Sequence, residues 1–429
     1  MAGLRVAVVG GGWAGLAAAV AATRAGHAVT LLEAARQFGG RARRLELPLA
    51  DGGVARVDNG QHILIGAYTQ TLGLLRELGV DLHASLLRLP LTLRFPDGGG
   101  LALPAWPAPW DAAWGIATAR GWSAADKLSL LRHAARWRLQ GFRCDPALSV
   151  AQLCARLRPA VLHDLVEPLC EAALNTPAAR AAADVFLRVL RDALFAPAQD
   201  GWGASNLLLP RVDLGALLPD TAVPWLQARG AVVRSGTRVQ SVQRAGAGWQ
   251  VESDAFDAVV LACPAWDAER LVAGAAPEAA GWLADVRALT HEAIATVYTA
   301  AGPRLAQPML ALRTSAAAPA QFVFDRSQLG GPAGQLAWVA SPSSGDAAAL
   351  QDRVVAQARA LGWSVDPIKT VVEKRATFAC TPGLRRPALQ IAPGLLACGD
   401  YVEGPYPATL EGAVRAAQQA VQLLPAAIS

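Results

Sequence analysis

The sequence predicts an α/β protein in which one parallel sheet is assembled from separated pieces of chain, with an α+β domain interleaved between them. Three observations carry this. An apolar run at residues 6–9 leads straight into Gly10-x-Gly12-x-x-Gly15 and an Ala-rich helical segment. A second apolar run at 28–32 ends in Glu33. Nucleotide-type strands then return in the blocks 212–264 and 388–429, an order that suits a discontinuous domain better than beads on a string. With 429 residues, two to three domains are expected. Hydrophobic residues at 53% and charged residues at 17% exclude disorder. The 40 glycines and 28 prolines show no period, so repeat architectures are excluded too.

The first strand, 6–9, is a buried run. The first helix is expected at 14–25, stopped by Gly26. The glycines between them serve different ends. Gly10 permits the tight turn, Gly12 the close approach of a pyrophosphate, and Gly15 the packing of helix on strand. Unpaired N–H groups at the helix N-terminus attract the anion. The Glu33 carboxylate accepts from both ribose hydroxyls and disfavours a 2′-phosphate. Together these predict a Rossmann-like dinucleotide site, against the plainer alternative of an Ala/Gly-rich core helix. Residues 6–22 carry no charge and approach bilayer-spanning length, and the Ala-rich sequence also invites a secretory reading. Gly10, Gly11, Gly12 and Gly15 argue against both.

Later elements follow in order. A helix is expected near 68–78. Residues 81–209 read as a helical, Trp-rich block without strand-helix alternation, broken early by Pro90, Pro96 and Pro104, with helices at 124–139 and 150–174. Strands are expected at 231–233 and 237–242, with 249–252 folding back across 246–248. The 257–262 run is apolar on both faces and belongs inside a parallel sheet. The 266–387 block mixes a strand at 335–339 with a helix at 350–361. A last strand at 395–398 precedes Gly399-Asp400 and a helix at 410–424. The expected partition assigns 1–80, 211–265 and 388–429 to the nucleotide domain. The substrate domain takes 81–210 and 266–387.

Net charge is +5, too weak to argue for nucleic acid. Nearly all the cations are arginines; the lysines are Lys127, Lys369 and Lys374. Six scattered cysteines without a CxxC pair predict neither zinc nor a thioredoxin-type centre, but reduced thiols of a cytoplasmic protein.

Glu33-Ala34-Ala35-Arg36-Gln37-Phe38-Gly39-Gly40-Arg41, the strand ending in Cys263-Pro264, and Cys398-Gly399-Asp400 followed by Pro407 to Ala413 resemble the FAD-dependent amine oxidase and phytoene desaturase superfamily. A closer match is carried by Val57-Asp58-Asn59-Gly60-Gln61-His62, by Glu373-Lys374-Arg375-Ala376-Thr377-Phe378 and by the same C-terminal segments. These resemble the squalene-associated flavoproteins, the hydroxysqualene dehydroxylases of bacterial hopanoid and carotenoid pathways. Cys398 stands for the usual alanine and Tyr401 for the usual tryptophan, a departure expected to change packing near the ribityl chain.

The resemblance implies one extended, non-covalent FAD, since no cysteine lies in 403–409. Its expected contacts are Gly10, Gly12, Trp13, Ala14, Gly15, Glu33, Ala34, Gly39, Gly40, Arg41, Asn59, Gly60, Gln61, Val239, Gly399, Asp400, Ala408, Thr409 and Leu410. The implied reaction replaces the allylic hydroxyl of hydroxysqualene by hydride to give squalene. The protein must then protonate the leaving oxygen, exclude water and hold the chain in register. His62 and Lys374 are the candidate acids. Their structural alternatives are a histidine bonded to backbone or flavin and a surface lysine paired with Glu373. Asp58 is expected on the amides of the glycine turn.

The implied partners are a hydrophobic isoprenoid substrate and an external electron donor or reductase. The only complete dinucleotide fingerprint is taken by FAD, and Gly330-Gly331-Pro332-Ala333-Gly334 lacks a preceding strand. Trp106, Trp110 and Trp114 recur at spacing four, followed by Trp122 and Trp137. They are expected in the core, along a hydrocarbon pocket, or at a bilayer face beside Arg120, Arg132, Arg136 and Arg138. Peripheral attachment to the inner face of the cell membrane fits such a substrate. Rival functions are desaturation of a carotenoid-like polyene, amine oxidation with Tyr401 and Tyr406 as an aromatic pair, and a non-catalytic escort for prenyl chains.

Overall fold

The computed structural model describes residues 3–48, 52–196, 203–341, 343 and 346–424. Its central sheet has the strand order Val232–Arg234, Ala28–Leu32, Arg5–Val9, Ala258–Leu261, Leu395–Ala397, Gln390–Ala392. All neighbours pair in parallel except the last, an antiparallel edge strand. Strands distant in sequence thus meet side by side: Val6 to Val9 pair with Ala258 to Leu261, which pair in turn with Leu395 to Ala397. Ala258–Leu261 is buried along its whole length, as a strand covered on both faces must be.

The helix Trp13–Arg24 covers this sheet and packs on the C-terminal helix Leu410–Gln422. Small side chains allow the approach: Ala17, Ala18 and Ala21 on one, Ala413, Ala416, Ala417 and Ala420 on the other. Gly15 sits where the helix crosses the first strand. A Cβ there would stand 1.8 Å from the Gly10 carbonyl oxygen, so the third glycine of the motif is a packing requirement.

A second sheet, antiparallel, runs in the order Met309–Ala311, Phe322–Asp325, Leu336–Ala340, His291–Ala300, Asp366–Phe378. Its faces separate by the period of two. Phe322, Phe324 and Tyr298 join the main core, while Val297, Val323 and Trp338 join a second core with Val354 and Ala358 of the helix Ala347–Ala360.

Three expectations need correction. The 81–209 block contains short strands, Leu86–Leu89, Thr92–Arg94, Gly100–Ala102 and Leu207–Pro210; prolines bound them and keep them short. The 150–174 helix is broken into Val150–Leu153, Pro159–Val161, a π turn Leu162–Val166 and Glu167–Leu174. Pro168 has no N–H to donate to the Asp164 carbonyl, and the wide turn absorbs the loss, with Glu167 N donating to Leu162 O. The hairpin in the 237–252 region pairs Val242–Ala245 with Gly248–Val251, so its first strand begins where 237–242 was expected to end. Among the described residues no helix is long and apolar enough to cross a membrane.

Candidate active site

A cavity of about 870 Å³ lies between the two sheets, within the size range of cofactor sites. It is lined from both ends of the chain and from the middle. Gly10, Gly12, Trp13, Ala14, Glu33, Gly39, Gly40, Arg41, Asn59, Gly60, Gln61, His62, Gly399, Asp400, Ala408, Thr409 and Leu410 all border it. Four expected residues do not. Gly15 is committed to the packing just described. Ala34 is absent from the wall although Glu33 and Ala35 line it. Val239 is buried elsewhere, its carbonyl accepting from Arg270. Lys374 is exposed.

The glycine loop and the second glycine turn lie against each other. Gly39 N donates to Gly11 O at 2.9 Å, and Gly12 bridges Gly39. At the crossing, a Cβ on Gly40 would come within 3.1 Å of the Gly12 Cα. Gly40 also has φ +61°, where glycine is favoured. Glu33 closes the outer end: its carboxylate accepts from Gly11 N at 2.5 Å and Ala35 N at 2.7 Å. Those bonds fix an acceptor at the end of the second strand, where a ribose is held in dinucleotide folds.

Arg41 crosses to the other end of the chain. It donates to Asp400 and to the Ala376 carbonyl. Burial works against its charge, but Asp400 and Glu373 overcome that and raise its pKa. Asn59 accepts from Arg43 N at 3.1 Å and faces Glu373 at 3.5 Å. The helix Leu410–Gln422 starts at the cavity, capped by the Thr409 hydroxyl accepting from Gly412 N. Its N-terminal dipole favours negative charge there. Ala408 at φ +59° and Tyr406 at φ +58° turn the chain into that cap in the left-handed region, a conformation that costs energy for residues with a side chain. Tyr401 lines the cavity with a buried hydroxyl that has no partner among the described residues. An orphaned hydroxyl, a glycine-lined approach and a fixed ribose acceptor are together what a long polar cofactor requires, and the residues present fit FAD.

His62 lines the cavity, but its Nδ1 is 2.5 Å from the Gly60 carbonyl. Burial lowers its pKa to about 4, with Arg41 adding to the effect against the Gly60 bond. The ring is therefore neutral at physiological pH, donating from Nδ1, and does not serve as a protonated acid. Lys374 fails for a different reason. Glu373 lines the cavity and successive strand residues face opposite ways. Just beyond the Glu373–Ile294 pair, Lys374 to Ala376 stand opposite the single Ala293, and Lys374 is left outside. Asp58 does not bind the glycine turn either. It accepts from Leu214 N at 2.7 Å, at the start of the helix Leu214–Leu217, and burial raises its pKa to about 7.

Opposite the nucleotide-type residues the wall turns apolar, with Ile63, Tyr68, Ile294, Phe322, Phe324 and Val339. A small polar patch interrupts it. Asn175 donates to Thr377 Oγ1 at 2.8 Å and is hydrogen-bonded to the Ser341 hydroxyl, while Ser341 N donates to Gln321 Oε1 at 2.6 Å. Neither this patch nor Glu171 was anticipated from the sequence. They come from four separate segments, and no local pattern marks them. Of the two tyrosines considered for an aromatic pair flanking the flavin, Tyr401 lines the cavity and Tyr406 does not; Tyr406 meets Tyr68 edge-on, centroids 6.4 Å apart.

Comparison with known proteins places these features. A family model described as flavin containing amine oxidoreductase matches residues 13–358. The chain is 29% identical over 449 residues to hydroxysqualene dehydroxylase of Rhodopseudomonas palustris, covering 98% of each. It is 25% identical over 443 residues to hydroxysqualene dehydroxylase of Zymomonas mobilis, covering 97% of this chain and 98% of the relative. Among solved structures, an oxidoreductase from Methanosarcina mazei shares the fold with a TM-score of 0.74 at 15% identity, covering 98% of this chain and 100% of the other.

Proposed function

This chain belongs to the flavin containing amine oxidoreductases, and from that premise we propose that it removes the hydroxyl group of hydroxysqualene reductively, giving squalene. One observation carries the choice of substrate class: residues that fit FAD and an apolar wall built from Ile63, Ile294, Phe322, Phe324 and Val339 share a single cavity. The near full-length similarity to hydroxysqualene dehydroxylases supports the specific reaction.

Reduced FAD, when bound, supplies a hydride. The chain's own residues do the rest. Glu33 and the paired glycine turns hold the nucleotide end. The Arg41–Asp400 bridge ties the early turn to the late one. The aromatic wall limits the water that reaches a cationic carbon and holds the hydrocarbon in register. His62, neutral, places no charge beside that carbon.

Squalene is more reduced than the alcohol, so each turnover draws two electrons from outside. The sequence has one complete dinucleotide fingerprint, and FAD uses it. The expected result is squalene, read by mass spectrometry, when photoreduced protein is mixed anaerobically with hydroxysqualene. NADPH alone should bleach the flavin little. Rapid stoichiometric bleaching by NADPH would remove the external donor. Squalene from oxidised protein without reductant would remove the reductive mechanism.

Such a substrate is drawn from lipid, and one surface suits that. Trp106, Trp110 and Trp114 are 50%, 69% and 51% exposed, with Leu128 and Leu131 also exposed. Arg120, Arg132 and Arg136 are exposed along the same stretch of chain. Trp122 and Trp137, by contrast, are core residues. Indole rings partition to the bilayer interface, and arginines to anionic headgroups. Replacing Trp106, Trp110 and Trp114 by serine is expected to reduce co-sedimentation with anionic liposomes and leave bound FAD unchanged. Equal sedimentation of parent and variant would assign the rings to another contact.

A further inference from the structure

The proposed reaction needs a proton for the departing hydroxyl, and neither His62 nor Lys374 supplies it. The carboxylates of the cavity wall can be sorted by what they touch. Glu33 accepts from two backbone amides, Asp400 from Arg41, and Glu373 faces Asn59. Glu171 also lines the cavity, and among the described residues its carboxyl group has no hydrogen bond or ion pair.

Its position is fixed by the backbone on both sides. Upstream, the π turn Leu162–Val166 sets the direction of the helix Glu167–Leu174, a type of irregularity frequent at functional sites. Downstream, Asn175 ends the helix in the left-handed conformation, its N–H bonded to the Glu171 carbonyl. The buried Asn175 side chain is tied to Ser341 and Thr377. Glu171 therefore stands one turn from a rigid polar patch on an otherwise apolar wall.

We propose that Glu171 is the proton donor of the dehydroxylation; this rests on the substrate reading above. The Glu171 O–H bond breaks as an O–H bond forms to the carbinol oxygen. The C–O bond breaks with its electron pair leaving on water. The allylic carbon takes a hydride from the reduced flavin already invoked. Glu171 ends as a carboxylate and regains its proton from solvent.

The acid strength suits a donor that works near neutrality. Burial, and secondarily the charge of Glu167, raise the Glu171 pKa to about 7. Glu167 itself is paired with His163 on the same segment. The helix Ala183–Phe195, packed beside it, carries Asp184, Arg188, Arg191 and Asp192. Across the cavity stand Arg41, His62, Glu373 and Asp400. Because the raised pKa leaves a large share of the carboxyl groups protonated near neutrality, donor competence is full well below about 7 and falls as pH rises through it.

The test separates protonation from redox chemistry. Oxidised holoenzyme with hydroxysqualene in ¹⁸O-water should exchange the hydroxyl oxygen, because ionisation and recapture of water need no hydride. In Glu171→Gln this exchange, and squalene formation by the pre-reduced protein, should fall about 10²–10⁴-fold, the range for a lost general acid. FAD content should stay at the parent's value. Infrared spectra of the holoenzyme without substrate should show a protonated carboxyl band that Glu171→Gln removes and that titrates near neutrality. Glu171→Asp, should the amide fold poorly, should retain the band and part of the exchange. Squalene formation by Glu171→Gln within about twofold of the parent overturns this assignment and leaves the substrate reading intact, as does absence of the infrared band. A parent enzyme inert toward hydroxysqualene in both assays overturns the two together.

Discussion

Gly12→Val is expected to give folded protein without flavin. Gly12 lines the cavity, and a Cβ built there meets only Gly40, its Cα at 3.7 Å. Its φ is −75°, so a side chain imposes no backbone strain. Alanine is therefore compatible with the fold, whereas valine places two methyl groups in the gap that leads to the loop amides. A pyrophosphate needs close approach to those amides, and excluding it should lower FAD affinity by at least about 10²-fold, each tenfold step being about 1.4 kcal/mol. Gly15→Ala is the contrasting variant. Its Cβ would meet the Gly10 carbonyl oxygen at 1.8 Å, so the strand-helix packing itself should fail. The measurement is the 450 nm flavin band per chain beside the melting curve of the apoprotein. Full flavin content in folded Gly12→Val would move the pyrophosphate elsewhere.

The parts of this architecture that could be read from sequence are those written locally. The strand Arg5–Val9, the glycine loop and Glu33 lie within one short segment, and the structure puts them together as that segment implies. The apolar run at 257–262 announced burial on both faces, which is a property of its own residues. Side-chain direction is another matter. Glu373 and Lys374 differ in fate because successive strand residues face opposite ways, and which of them meets the cavity depends on the register with the partner strand, where Glu373 stands opposite Ile294. His62 was locatable, but its protonation is decided by burial and by the Gly60 carbonyl. The 150–174 segment is interrupted before Pro159 and again by the π turn ahead of Pro168, breaks that apolar spacing alone does not disclose. Glu171 looked like any polar position on that helix. That it borders a cavity shared with segments hundreds of residues away is a fact of the folded chain.

Glu411→Ala is expected to produce a large loss of stability although Glu411 lies outside the cavity wall. The Glu411 side chain is fully buried and reaches the first turn of the helix Thr69–Glu77. It accepts from Gln70 N at 3.1 Å, Thr71 N at 2.9 Å and the Thr71 hydroxyl at 2.7 Å, and it pairs with Arg415 at 2.7 Å. That helix has no capping side chain of its own at Tyr68, so Glu411 supplies from a distant segment what an N-cap normally supplies locally. Removing the carboxylate leaves buried N–H groups unpaired and strands the Arg415 charge, a loss of about 3–5 kcal/mol. With an unfolding entropy of about 2.1 cal/mol/K per residue, a chain of 429 residues should lose roughly 3–5 °C in Tm. Glu411→Gln keeps one acceptor but turns an NH₂ toward amide donors, so it should recover only part of this. Arg415→Met leaves the cap in place and should cost less than either. Flavin retention should follow the same order, since Tyr68, Thr409 and Leu410 flank this junction and line the cavity. A Tm for Glu411→Ala equal to the parent's would show that water satisfies the helix end, and the cap would then have no role in holding the C-terminal helix against the site.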